Sequence, residues 1–354
     1  GSYNTMVGGN AGRKMTSGSS NSGLGVNALE STTTGANNVA VGMSAMGANT
    51  TGGGNTTVGK AALSANTTAS ENTAVGLLAM DRTTTGSYNT ALGSHALRYN
   101  TTGTLNVSVG KNSMYQNTSG QENSALGHSA LSENTTGNYN TASGYYALYA
   151  NTTADNNTAV GYYALGTNTT AANNVAMGRY SLGLNTTGAQ NTALGTYALE
   201  ANTTANYNTA VGYSSLGANT TGTQNTAVGF QAAYSNTTGN YNVAIGRRSA
   251  YLNTTGSENV AVGRNSFHNN TTGSSNTALG YEPLRYNTTG ASNVAVGRKT
   301  LYMNTTGNSN VGMGYHALYA NTTGQLNTAV GHYALAAQTA DAYNTAVGAN
   351  SMEA

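Results

Sequence analysis

Small and aliphatic positions alternate with polar ones on a fixed seventeen-residue beat. Stepping by 17 from Asn4 lands on an asparagine each time, through Asn21, Asn38 and Asn55 to Asn344, with no insertion or deletion. A glycine follows four residues after each of them, from Gly8 to Gly348. With that asparagine as position one, the repeat reads N-[TV]-A-[VL]-G-x-x-[AS]-L-x-x-N-T-T-G-x-x. Position four is Val, Leu, Ile or Met everywhere except Ser143, and position nine is Leu, Met or Phe everywhere except Gly12, Ala233 and Ala250. The Thr/Val-Ala-Val segment suits a short strand, and Asn-Thr-Thr-Gly is turn chemistry. A seventeen-residue period is too short for helical-hairpin repeats, and glycine at positions five and fifteen would interrupt any helix. The pattern predicts two short strands and two turns per repeat. It makes the chain an all-β parallel β-solenoid (β-roll) of 21 coils, one continuous array over residues 1–354.

Stacking explains the strict period. Each coil bonds only to its neighbours, and equivalent positions lie about 4.8 Å apart, so 21 rungs would give a rod of roughly 100 Å. One inserted residue would move every later side chain out of its column. Asn157, Asn174 and Asn191 are expected to form an asparagine ladder. Gly161, Gly178 and Gly195 are expected at a backbone corner with positive φ or a close approach. Positions four and nine are expected inside the coil, so that Leu165→Asp would leave a buried charge unpaired and destabilise the protein. Ala159 and Gly161 would then face away from Val160 and offer a small-residue surface. Because such a core is thin, that surface predicts self-association, as a trimer or a higher parallel bundle of copies. The chain starts within a repeat and stops partway through its last one, which reads as a window from a longer protein.

The element Asn-Thr-Ala-Val-Gly-Tyr-Tyr-Ala-Leu at 157–165 resembles the Ser-Val-Ala-Ile-Gly element of trimeric autotransporter adhesin heads. The seventeen-residue form with Asn-Thr-Thr-Gly is similar to repeat arrays of bacteriophage tail fibres and of giant bacterial surface proteins. The resemblance runs from Asn4 to Ala354. It implies a left-handed parallel β-roll, packing of three chains about an axis, and service as a shaft or an adhesive head.

Composition narrows the chemistry. Charged residues make up 7%, with 13 Lys+Arg against 11 Asp+Glu and a net charge of +2. Globular chains carry about one quarter charged residues, and nucleic-acid binding needs clustered cations, so no nucleic-acid partner is expected. With no cysteine there are no disulfides, thiolate metal sites or thiol nucleophiles. No apolar run approaches the ~20 residues that span a bilayer, so no membrane insertion is expected. The carboxylates, from Glu30 to Glu353, and the histidines His95, His128, His268, His316 and His332 fall at scattered repeat positions. No enzymatic activity, metal or cofactor is expected, since catalysis needs converging titratable groups.

Binding, if written here, sits at the variable positions. Tyr146, Tyr163, Tyr180 and Tyr197 occupy position seven of consecutive repeats, with Tyr145 and Tyr162 beside them at position six. Position ten carries Tyr234, Tyr251, His268, Arg285, Tyr302 and Tyr319. Such stripes suit glycan contact, and aromatic cross-strand pairing accounts for them equally. Arg247, Arg248, Arg264, Arg298 and Lys299 form a looser basic patch that reads as solvated surface. Asn-Thr-Thr is an N-glycosylation sequon, so Asn151, Asn168 and Asn185 are candidate acceptors. The expected function is an extracellular structural fibre, on a virion or cell surface, that extends an adhesive tip. The alternatives are a glycan-binding adhesin head using the Tyr stripe and an ice-binding solenoid using its Thr columns.

Overall fold

A computed structural model describes residues 1–352; Glu353 lies outside the described residues. The chain is an all-β parallel β-solenoid with a seventeen-residue period. It divides into two compact units, Gly1–Asn174 and Val175–Ala354. The first holds ten strands, β1 (Thr5–Val7) through β10 (Thr158–Val160), and the second holds eleven, β11 (Val175–Met177) through β21 (Thr345–Val347). Every strand is three residues long, and within each unit consecutive strands pair in parallel at equivalent residues, Thr209 opposite Thr226 and Ala210 opposite Ala227. No strand shifts register within a unit.

The expected second strand is absent among the described residues: each coil carries one. The segment around position nine cannot be extended because positions seven and nine both take positive φ. Tyr197 sits at φ 60° and Leu199 at φ 50°. Hydrogen bonds still link it to the next coil, Leu199 N–H to the Ser215 carbonyl at 3.0 Å. Position seventeen is left-handed as well, as at Gln224 with φ 57°. Left-handed backbone costs a non-glycine residue about 1–2 kcal/mol, and it persists only where surrounding bonds fix it. Here inter-coil bonds do so on both sides.

The largest correction concerns which face of the strand is inside. Position three, not four, points into the coil. Ala159, Ala176 and Ala193 are fully buried. Their neighbours Val160 and Leu194 are half-buried, and Met177 is 46% exposed. Position nine lies inside as expected, with Leu165, Leu182 and Leu199 fully buried. The reason is the thinness of the coil. At Gly23, the point where a Cβ would sit is 3.5 Å from Leu29 Cδ1 and 3.8 Å from Ala28 Cβ. The strand therefore touches the opposite wall at its first side-chain carbon, which leaves room for little more than alanine, with Ser108 and Thr57 the other small residues buried there. Two substitutions inside come in compensating pairs. The same point at Gly23 lies 2.7 Å from Met6 Sδ, and at Gly312 it lies 2.6 Å from Thr300 Cγ2. A large residue in one coil is met by a glycine in contact with it.

Two asparagine ladders run beside this core. Asn38 donates its backbone N–H (3.0 Å) and its Nδ2 (3.1 Å) to Asn21 Oδ1, and Nδ2 also donates to the Gly52 carbonyl at 2.9 Å. Asn157 and Asn174 repeat the arrangement, Asn174 N–H reaching Asn157 Oδ1 at 3.0 Å, and Asn208 N–H reaches Asn191 Oδ1 at 2.9 Å. Position twelve builds the second ladder: Asn151 Nδ2 donates to Asn134 Oδ1 at 2.9 Å and to the Ala154 carbonyl at 3.1 Å. The ladders converge on one carbonyl per coil. That of Ala171 accepts from Asn157 and Asn168, both at 2.9 Å. Buried amides satisfied in this way stabilise the fold, whereas one left unpaired would cost ~1–3 kcal/mol.

Candidate functional surfaces

Turning position three inward turns positions two and four outward. Within each unit they form a strip of Thr, Val, Ser, Leu, Ile and Met that contains no charged residue. Ile245 is 39% exposed and Met313 44%. A dimple of about 290 Å³ opens on the first unit's strip around Ser143, lined by Val107, Val109 and Leu126. The small-residue face expected for self-association is thus corrected: Ala159 lies in the core, and Gly161 is a corner residue with φ 129°. Gly178 (φ 135°) and Gly195 (φ 137°) have the corner conformation expected of them. A Cβ on Gly195 would come within 2.5 Å of the Gly212 carbonyl oxygen. Position five therefore excludes side chains twice over, by φ and by the next coil's backbone.

The tyrosines gather within each unit. In the first, Tyr145 and Tyr162 are 45% and 44% exposed and stack at 5.5 Å with their planes 2° apart. Tyr146 lies edge-on to Tyr145 at 4.4 Å and tilted against Tyr163 at 6.5 Å. In the second, Tyr180 stacks on Tyr197 at 5.9 Å, with the Arg179 guanidinium 5.3 Å from the Tyr180 ring. Parallel stacking from coil to coil turns ring faces towards one another, whereas a sugar needs a free face. Burial raises the Tyr149 hydroxyl pKa above its ordinary value, and Glu133 beside it adds to the effect. Burial lowers the His95 pKa, assisted by Arg98 and Lys111. The basic residues expected as free surface lie over aromatic rings: Arg264 and Arg298 at 5.7 and 5.6 Å from the Tyr281 ring, Lys299 at 5.0 Å from that of Tyr302.

The sequon asparagines Asn151, Asn168 and Asn185 are fully buried, their Nδ2 groups donating to the carbonyls of Ala154, Ala171 and Gly188. Nδ2 is the atom a glycan would occupy, so glycosylation at these sites is incompatible with the folded coil. The first threonine after each sequon asparagine is also engaged, as in Thr237 Oγ1 donating to the Thr254 carbonyl at 3.1 Å. That leaves half of the Thr columns unavailable to order water.

Sequence reasoning missed one feature, an open cleft of about 450 Å³ in the first unit. It lies where the aromatic column at position ten is interrupted, with Ser132 between Tyr115 and Tyr149. The break in that column was the available signal. Among the described residues, no group of three or more His, Asp or Glu side chains is placed to hold a metal ion, and no helix is long and apolar enough to cross a membrane. No protein-family model matches the chain, and no curated protein matches it in sequence.

Proposed function

We propose that the chain is the shaft of an extracellular homo-oligomeric fibre, with copies associating through the outward strip of positions two and four and the array presenting an adhesive or receptor-binding tip. One observation carries the reading: a strip of aliphatic, Thr and Ser side chains, uncharged throughout, whose larger members stay partly exposed among the described residues. Eleven rungs at about 4.8 Å and a strip roughly 10 Å wide give ~500 Å² for one unit. One unit's strip alone thus supplies more than half of the ~800 Å² per partner of a standard stable interface. Exposed apolar strips of this size ordinarily mark an association surface. Three copies about a common axis suit a narrow strip, because each chain needs to cover only one face. The low charge and the absence of cysteine suit a rigid spacer outside the cell.

The decisive measurement is the solution mass of the 354-residue chain beside that of the double variant Ile245→Asp, Met313→Asp. The expected result is a trimer for the parent and dissociation for the variant, with the β-sheet circular dichroism retained. A monomeric parent at micromolar concentration would overturn the proposal.

A further inference from the structure

The cleft at the interrupted tyrosine column has the features of a small-ligand site. Its ends are aromatic, His95 and Tyr115 on one side and Tyr146 and Tyr149 on the other. Tyr115 and Tyr149 lie two rungs apart, about 10 Å, and His95 and Tyr146 three rungs apart, about 14 Å, at the rung spacing of a β-sheet. Its floor is polar and small: Ser129 and Ser132 are buried and Asn112 is half-buried. These dimensions match one or two pyranose rings lying between aromatic walls.

Three further observations select the ligand's chemistry. Lys111 lies exposed on the rim, and no carboxylate pairs with it among the described residues. By contrast, Arg98 is 3.6 Å from Asp81 and donates to Tyr115 Oη at 3.2 Å. The Glu133 carboxylate lines the same cleft beside Tyr149 and can accept from hydroxyl groups. A free ammonium on the rim, a carboxylate that accepts from hydroxyls, and small hydroxyl and amide groups together match a sugar that carries a carboxylate.

We propose that this cleft binds a short acidic saccharide, its carboxylate paired with Lys111 and its hydroxyls reaching Glu133 and the Ser/Asn floor. The site is a property of one chain and does not depend on the assembly proposed above. It also relocates the glycan reading, from the stacked tyrosine stripe to the place where the stacking stops.

Titration calorimetry on the full chain would use three probes: trigalacturonic acid, 3′-sialyllactose and neutral maltotriose. Binding of one or both acidic probes is expected, and which of them binds distinguishes a plant- or algal-type uronate from an animal-type sialoside. Lys111→Ala is expected to weaken that binding about tenfold, the scale of one lost charge-assisted hydrogen bond. Ser132→Tyr would continue the column between Tyr115 and Tyr149 and fill the cleft, abolishing binding. Because tyrosine already occupies position ten in the coils on either side, this variant is expected to keep the parental melting temperature. No binding by any probe, equal binding of maltotriose, or binding unchanged in Ser132→Tyr would each overturn the proposal. None of these outcomes bears on the solution mass, so this site and the fibre reading fail separately.

Discussion

The glycines of a coil fall into two kinds that the sequence writes alike. Both Gly195 and Gly188 face a carbonyl of the next coil, but Gly195 has φ 137° whereas Gly188 at position fifteen has an ordinary φ, and Ala154, Ala171 and Ala205 fill that position in other coils. Gly195→Ala is expected to cost at least about 2 kcal/mol and Gly188→Ala less than half of that, read as the difference in chemical-denaturation midpoints. His268 makes the stability depend on pH. Burial lowers its pKa first of all, with Arg285 and Arg248 acting in the same direction, against the Asn269 side chain and Glu282. A base with a depressed folded pKa binds its proton more readily when unfolded. Its contribution is therefore complete above the unfolded value near 6.5 and is lost as pH falls through the folded one. The melting temperature should decline below pH 6.5. His268→Phe, which can keep the 5.1 Å stacking on Tyr251, should flatten that decline; an unchanged profile would show that His268 does not cause it. His95 and His316 are shifted the same way and contribute the remainder.

At the level of the element, the ladders are interrupted where position twelve departs from asparagine. Thr83 stands between Asn66 and Asn100, and its buried Oγ1 has no hydrogen-bond partner. Thr83→Asn should join the two stretches and stabilise the chain by about 1 kcal/mol, measured by thermal or urea unfolding. The first ladder, the corner glycine, the period and the buried Leu165 were all legible in the sequence, because each is a property of one repeat position. The inward face of the strand was not. Alternation separates positions three and four onto opposite faces, and hydrophobicity alone assigns the larger residue to the core. The usable signal was variance in size. Position four drifts among Val, Leu, Ile, Met and Ser without consequence elsewhere. Position three stays near alanine, with only Met6, Gly23, Thr57, Ser108 and Gly312 departing from it, and the largest of these, Met6, is stacked against Gly23. Tolerance belongs to the surface and compensation to the interior. The left-handed backbone at Tyr197, Leu199 and Gln224 left no trace either, since bulky residues carry no such preference. The cleft was hidden for a different reason: it is made by what position ten lacks at Ser132.

For the molecule as a whole, nearest-neighbour stacking makes length adjustable and phase not. Removing residues 208–224, one complete coil of the second unit, should move the melting temperature by only a few degrees. Removing Thr221 alone should lower it far more, because every later asparagine then misses its column. Equal effects of the two deletions would contradict the stacking account. The ladders also give the array a direction. Each Oδ1 is filled by N–H groups of the following coil, as Asn21 Oδ1 is filled by Asn38. A break between two coils therefore leaves bare acceptors on the upstream piece and bare donors on the downstream one. Those two ends are complementary to each other and to no copy of themselves, like the ends of a zip. Proteolytic fragments of such a chain would rejoin head to tail, in phase, and any unrelated strand offered to the cut would have to match an amide row as well as a backbone.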